Sequence, residues 1–111
     1  MVSTEKVFTV KENKLFTLHN PDHTGQELRL YDRHGQWVAY AQWTTWTDYA
    51  EIDAIESRLE GCGRRLVEIL QDRFDTLVLT SRNEAFGFWR RMGFKQDVDD
   101  PCQWVWKRGL G

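Results

Sequence analysis

The stretch from Ala50 to Thr80 most constrains how this chain can fold. A strand-like run, Ala50–Ser57, meets the turn Arg58-Leu59-Glu60-Gly61-Cys62-Gly63, then a helical pattern, then the apolar run Leu77-Val78-Leu79. Leu66, Ile69, Leu70 and Phe74 fall on one helical face, which predicts an amphipathic helix from about Gly63 to Arg73. A continuous apolar run within Thr76–Thr80 suits a strand covered on both faces. Strand, helix, buried strand in that order is a parallel crossover.

The rest of the chain is arranged around this unit. Val7–Val10 and Leu15–Leu18 read as two short strands about the polar turn Lys11-Glu12-Asn13-Lys14. Asn20–Gly25 reads as a loop, Glu27–Tyr31 as a strand, and Asp32-Arg33-His34-Gly35 as a tight turn. In the next strand, Gln36–Trp43, alternation puts Trp37, Ala39, Ala41 and Trp43 on one face and Val38, Tyr40 and Gln42 on the other. After the crossover, Asn83 reads as an N-cap and Gly93 as the C′ residue of a helix from Glu84 to Met92. Phe94–Asp97 and Gln103–Lys107 read as two closing strands. The expected class is α/β (α+β): a mixed, mostly antiparallel twisted sheet of about six to seven strands, with two helices in the C-terminal half.

At 111 residues the chain is long enough for a single domain with one core, spanning residues 1–111. A net charge of -2 argues against a general nucleic-acid binder, which needs a clustered excess of Lys and Arg. No apolar run approaches the roughly 20 residues needed to cross a bilayer. Met1–Lys6 lacks a signal peptide's apolar region, so a cytoplasmic protein is expected. Cys62 and Cys102 form no paired framework and are expected to be reduced thiols.

The turn before the first helix carries the chemistry. A helix N-terminus presents unpaired N–H groups and partial positive charge, which suits phosphate oxygens. Gly61 and Gly63 let the backbone approach such a group, and Arg58, Arg64 and Arg65 add charge. Leu66 stands where a Rossmann fingerprint needs its third glycine, and no Gly-Lys-Ser/Thr of a Walker loop is present. A glycine turn that merely starts a helix would give the same short pattern.

Two motifs taken together say more. Arg58-Leu59-Glu60-Gly61-Cys62-Gly63 fills every required position of Gln/Arg-x-x-Gly-x-Gly/Ala, and Asn83-Glu84-Ala85 through Phe88-Trp89-Arg90-Arg91-Met92-Gly93-Phe94 follows it. In this order, from about residue 36 to 107, the chain resembles the GNAT N-acetyltransferases. The resemblance implies a central parallel pair of strands that splay apart around the pantetheine arm of acetyl-CoA. Main-chain groups of Ile55 and Ser57 would pair with pantetheine, and amides of Leu59, Gly61, Cys62, Gly63 and Arg64 would hold the pyrophosphate. Arg64 or Arg65 would meet the adenosine 3′-phosphate, Asn83 would reach the pantetheine, and Trp89 would border the thioester. The family passes the acyl group directly to an amine, with a strand amide near Ile55 as oxyanion donor.

The chain departs from the family pattern in ways that bear on activity. Trp89 stands where the family has its tyrosine acid, and an indole N–H donates a hydrogen bond without giving up a proton. Asn83 lies one residue closer to Ala85 than usual, and the link from Ile55 to the glycine turn is about two residues short. The two helices that normally follow the first strand, and that roof the acceptor site, are replaced by the loop at Asn20–Gly25. An open acceptor cleft follows, suited to a protein amine or completed in a homodimer.

Glu51, Asp53 and Glu56 are the candidate bases for the attacking amine. Glu51 and Asp53 share a face, and Glu56 takes the other unless a bulge intervenes. His19 and His23 have helical ligand spacing, but Pro21 makes a loop, so no metal is expected. Cys62 has no histidine near it in sequence and reads as a small filler. Trp104 and Trp106 share a face as core or as a dimer seam. The expectation is therefore an acetyl-CoA-dependent N-acyltransferase, with a catalytically silent acyl-CoA-binding or protein-interaction module as the alternative.

Overall fold

The computed structural model describes residues 9–17 and 24–109, and the side chains of 25–109. Its strands are β1 (Thr9–Thr17), β2 (Thr24–Tyr31), β3 (Trp37–Thr45), β4 (Ala50–Ser57), β5 (Thr76–Thr80), β6 (Lys95–Gln96) and β7 (Gln103–Lys107). They form one sheet in the order β1-β2-β3-β4-β5-β7-β6. Only β4 and β5 run parallel, joined by the crossover helix α1 (Cys62–Arg73). A 3₁₀ turn at Asn83–Ala85 leads into the short helix α2 (Phe86–Arg91). The expected mixed sheet with one parallel pair and two C-terminal helices is what the chain forms.

One face of the sheet carries both helices. Leu28 and Leu30 pair with Ala41 and Ala39, Ile52 pairs with Trp43, and Leu77 and Leu79 pair with Trp106 and Trp104. These residues share a face, and all but the half-buried Trp106 join Leu66, Val67 and Leu70 of α1 in one buried cluster. Each fully buried aliphatic side chain contributes about 1.5–3 kcal/mol, so this face is the main source of stability. The α2 side chains Phe86 and Trp89 pack on Trp104 and Phe94, and Gln71 Nε2 of α1 donates to the Met92 carbonyl at 2.8 Å. Among the described residues no helix covers the opposite face.

The structure corrects three sequence expectations. Lys11–Lys14 is no turn: these residues lie inside β1 and pair one by one with Arg29 through Gln26. An edge strand tolerates such a polar run, because one side of it faces water. Val7 and Leu18 lie outside the described residues, as do His19 and His23 and most of the expected loop at Asn20–Gly25.

The second correction concerns Trp37. Leu30 pairs with Ala39 but Tyr31 pairs with Trp37, so Val38 is an extra residue in β3. The bulge turns Trp37 away from Ala39 and Ala41. Its ring instead meets Tyr40 edge-on at 5.5 Å and lies under the Arg29 and Arg58 guanidinium groups. Val38 is buried in the core. A period of two cannot foresee a bulge.

The third correction concerns the start of the last helix. Asn83 opens the 3₁₀ turn, Arg82 is the capping position, and no side chain caps either segment. The C-terminal end is as expected. Gly93 has φ 89°, its N–H donates to the Arg90 carbonyl, and the Phe94 N–H donates to the Trp89 carbonyl. That is a Schellman ending, which needs a residue free to take positive φ.

Candidate acyl-CoA site

The site begins where two strands part. β4 pairs with β5 only over Ala50, Ile52 and the residue between them. The next residue of β4, Asp53, is a bulge: Ile52 pairs with Trp43 and Ala54 with Gln42, leaving Asp53 extra. Beyond it β4 and β5 make no further pairs, and a cavity of about 320 Å³ fills the gap. Its lining includes Asp53 and Ile55 from β4, Leu79 from β5, Ser81 just beyond that strand, Glu84 from the 3₁₀ turn, and Trp89 from α2. Trp89 is 4% exposed and held edge-on by Phe88 and Phe94 at 4.9 and 5.1 Å.

A second, larger cavity, about 810 Å³, lies at the end of the same strand. It is lined by Ser57, Leu59, Gly61, Gly63 and Arg64 on one side and by Phe88, Arg91 and Met92 on the other. Gly61 caps α1 with φ 86°, and nothing lies within 4 Å of where a Cβ would stand. Gly63 has ordinary helical geometry, and a Cβ there would meet Ser57 and Phe88 at 3.7 and 3.9 Å, normal contact distances. The positive φ favours glycine at position 61, whereas the geometry at Gly63 has room for a Cβ.

The end of α1 that opens here is built for an anion. No side chain caps it and no acid lies in its first turn; Arg64 and Arg65 do instead. Cations at a helix N-terminus oppose the macrodipole by about 0.3–1 kcal/mol, a cost that an anion bound there offsets. Among the described residues, the N–H groups of Gly63 and Arg64 meet no backbone acceptor.

Not every expected residue is placed for binding. The Cys62 N–H already donates to the Leu59 carbonyl at 3.2 Å, and its side chain is buried in the core, so it offers neither an amide nor a thiol to the cavity. Arg58 lines the larger cavity, but its guanidinium lies 3.5 Å from the Trp37 ring centroid and its N–H extends the β3–β4 ladder to Val38. Arg65 and Asn83 are exposed and line neither cavity, whereas Arg82 and Glu84, the neighbours of Asn83, do.

The bulge also gathers the carboxylates. Glu51 pairs with Thr44 and Glu56 with Tyr40, and the extra residue between them brings Glu56 to the face of Glu51. Asp53 alone of the three lines the cavity. The Thr44 hydroxyl donates to its Oδ2 at 2.7 Å. Partial burial raises the Asp53 pKa above the usual carboxylate value, and the Thr44 hydrogen bond opposes that rise. Among the described residues no cluster of side chains could hold a metal ion.

Sequence reasoning missed Thr44, Phe88, Arg91 and Met92. The last three had a legible signal: Phe88 with Arg91 and Met92 is an i, i+3, i+4 stripe, facing the glycine turn. Ala85 and Trp89 are the neighbouring stripe, facing the gap between the strands.

Solved structures with this architecture decide the fold. A candidate acyl-CoA N-acyltransferase from Klebsiella pneumoniae superposes with a TM-score of 0.64 at 15% identity, over 88% of this chain and 94% of that one. This is the GNAT fold. A candidate acetyltransferase from an Exiguobacterium species gives 0.62 at 17% identity, over 76% of this chain and 63% of the other. A GNAT acetyltransferase from Brucella melitensis, solved with acetyl-CoA, gives 0.57 at 17% identity, over 76% of this chain and 58% of the other. The chain therefore spans less than two thirds of the latter two GNAT-fold proteins. No family model and no curated sequence matches it.

Proposed function

We propose that this chain is an acyl-CoA-dependent N-acyltransferase that uses acetyl-CoA and passes the acetyl group directly to an amine, with a protein amine as the acceptor class. One observation carries the reading. β4 leaves β5 at the Asp53 bulge, one cavity opens there, and a second lies past the end of β4 at the uncapped end of α1. An extended thiol arm fits the gap, its diphosphate fits the glycine turn, and the GNAT fold with acetyl-CoA in the Brucella protein supports that ligand class.

The chain's own residues account for the chemistry as follows. Main-chain groups of Ile55 and Ser57 pair with the arm, and Gly61, Gly63 and Arg64 receive the diphosphate. Asp53 takes the proton of the attacking amine, since its carboxylate lies at the cavity and Thr44 occupies only one of its oxygens. The amine nitrogen bonds to the thioester carbonyl carbon, the carbon–sulfur bond breaks, and the thiolate takes its proton from water. Trp89 borders the thioester and excludes solvent but supplies no proton. The open face of the sheet, free of helices among the described residues, admits a bulky acceptor, and a homodimer can complete the cleft.

A second reading keeps the ligand and drops the reaction: an acyl-CoA-binding module without turnover. Trp89 at the acid position favours it. Free-thiol release from acetyl-CoA, measured with a panel of amines and basic peptides, separates the two. Release that depends on an acceptor supports the enzyme. Tight acetyl-CoA binding with no release on any acceptor supports the module.

A further inference from the structure

We infer that Arg91, on α2, is a second phosphate-binding cation of the acyl-CoA site, gripping the ligand from the side opposite the glycine turn. The inference rests on the CoA-binding reading and deepens it. Arg91 and Arg64 line the same cavity from different helices. The other cations at this cavity are engaged: Arg58 stacks on Trp37, and Arg64 Nε lies 3.3 Å from Glu68 Oε2. Among the described residues the Arg91 side chain has no hydrogen bond, ion pair or ring contact. An exposed arginine ordinarily extends into water. Here its Nη1 folds back along α2 to 3.4 Å from where a Cβ of Gly87 would stand.

Gly87 makes sense in this light. Glycine inside a helix costs about 1 kcal/mol relative to alanine, and Gly87 has no positive φ that would require it. What its missing side chain provides is a track for the Arg91 arm, one turn on, beside the stripe of Phe88 and Met92 that faces the glycine turn. Side chains on a helix lean toward its N-terminus, so this position suits an arm reaching back over the cavity. Arginine offers a planar fork that meets a phosphate with two parallel N–H bonds.

The test is isothermal titration of CoA and dephospho-CoA into the wild-type chain, Arg91→Ala and Arg91→Lys. Arg91→Ala should bind CoA about ten- to a hundredfold more weakly, the range of a lost charge-assisted contact, and Arg91→Lys should recover part of it. A loss confined to CoA assigns the contact to the 3′-phosphate. A loss shared by dephospho-CoA assigns it to the diphosphate. The melting temperature without ligand should not change, because Arg91 is exposed and unpaired. Wild-type binding of CoA with unchanged affinity in Arg91→Ala overturns this inference alone. A wild-type chain that binds neither ligand overturns the CoA-binding reading itself.

Discussion

The Thr44 hydroxyl holds Oδ2 of Asp53 at 2.7 Å, across the bulge where β4 turns away from β5. Thr44 is 7% exposed, so this contact is a fixed part of the sheet. It orients a carboxylate on the very residue that opens the cavity. The extra residue that separates the strands is also the one that carries the proposed base.

Asp53→Asn keeps an oxygen for Thr44 and removes the charge. Acceptor-dependent thiol release should fall by about 10²- to 10⁴-fold, the usual contribution of a general base. Wild-type release should decline as pH falls through the raised Asp53 pKa, above the ordinary aspartate range. The stability effect has the opposite sense. A carboxyl whose pKa is raised by folding favours the folded state below its unfolded value and loses that contribution as pH rises through the folded one. Asp53→Asn should therefore melt at or above the wild-type temperature at pH 7, with the difference closing near pH 3. Lower stability of the variant at pH 7 than at pH 3, relative to wild type, contradicts this.

The two glycines of the turn should respond differently to alanine. Gly61→Ala forces a Cβ into φ 86°, which costs about 1–2 kcal/mol, and should weaken CoA binding. Gly63→Ala meets only ordinary contacts in a helix and should stabilise the ligand-free chain by about 0.4–1 kcal/mol while still binding CoA. Urea titration and CoA titration of both variants give the comparison.

Trp89→Tyr places a proton donor at the position proposed to border the thioester. If departure of the thiolate limits turnover, thiol release should rise. The smaller ring should also leave space between Phe88 and Phe94, lowering stability by about 1–3 kcal/mol. A stability loss without any gain in release would show that water already serves as the acid.

The Arg58 side chain should matter more to the sheet than its place in the motif suggests. Its stacking on Trp37 should contribute about 0.5–1 kcal/mol. Trp37→Leu and Arg58→Ala should each lose it, and the double variant should lose little more, as a double-mutant cycle in urea can measure.

Much of this was legible in the sequence because its signals are local. The Leu66, Ile69, Leu70 and Phe74 stripe and the Leu77–Leu79 run gave the crossover, and Gly61 and Gly93 stand where positive φ is needed. The bulges were not legible. Val38 and Asp53 break the period of two, and nothing in their residue types announces it, so simple alternation puts Trp37 on the wrong face and leaves the position of Glu56 open. The polar run Lys11–Lys14 misled because a solvated edge strand and a turn share a composition. Arg91 is not legible because its place at the cavity depends on a helix meeting a turn far away in sequence.

The most direct test of the central claim is calorimetric titration of acetyl-CoA into the wild-type chain and into Gly61→Asp. The wild type should bind saturably, and the variant, with a carboxylate where the diphosphate belongs, should not bind while still folding. No binding by the wild type, or equal binding by both, would contradict the account.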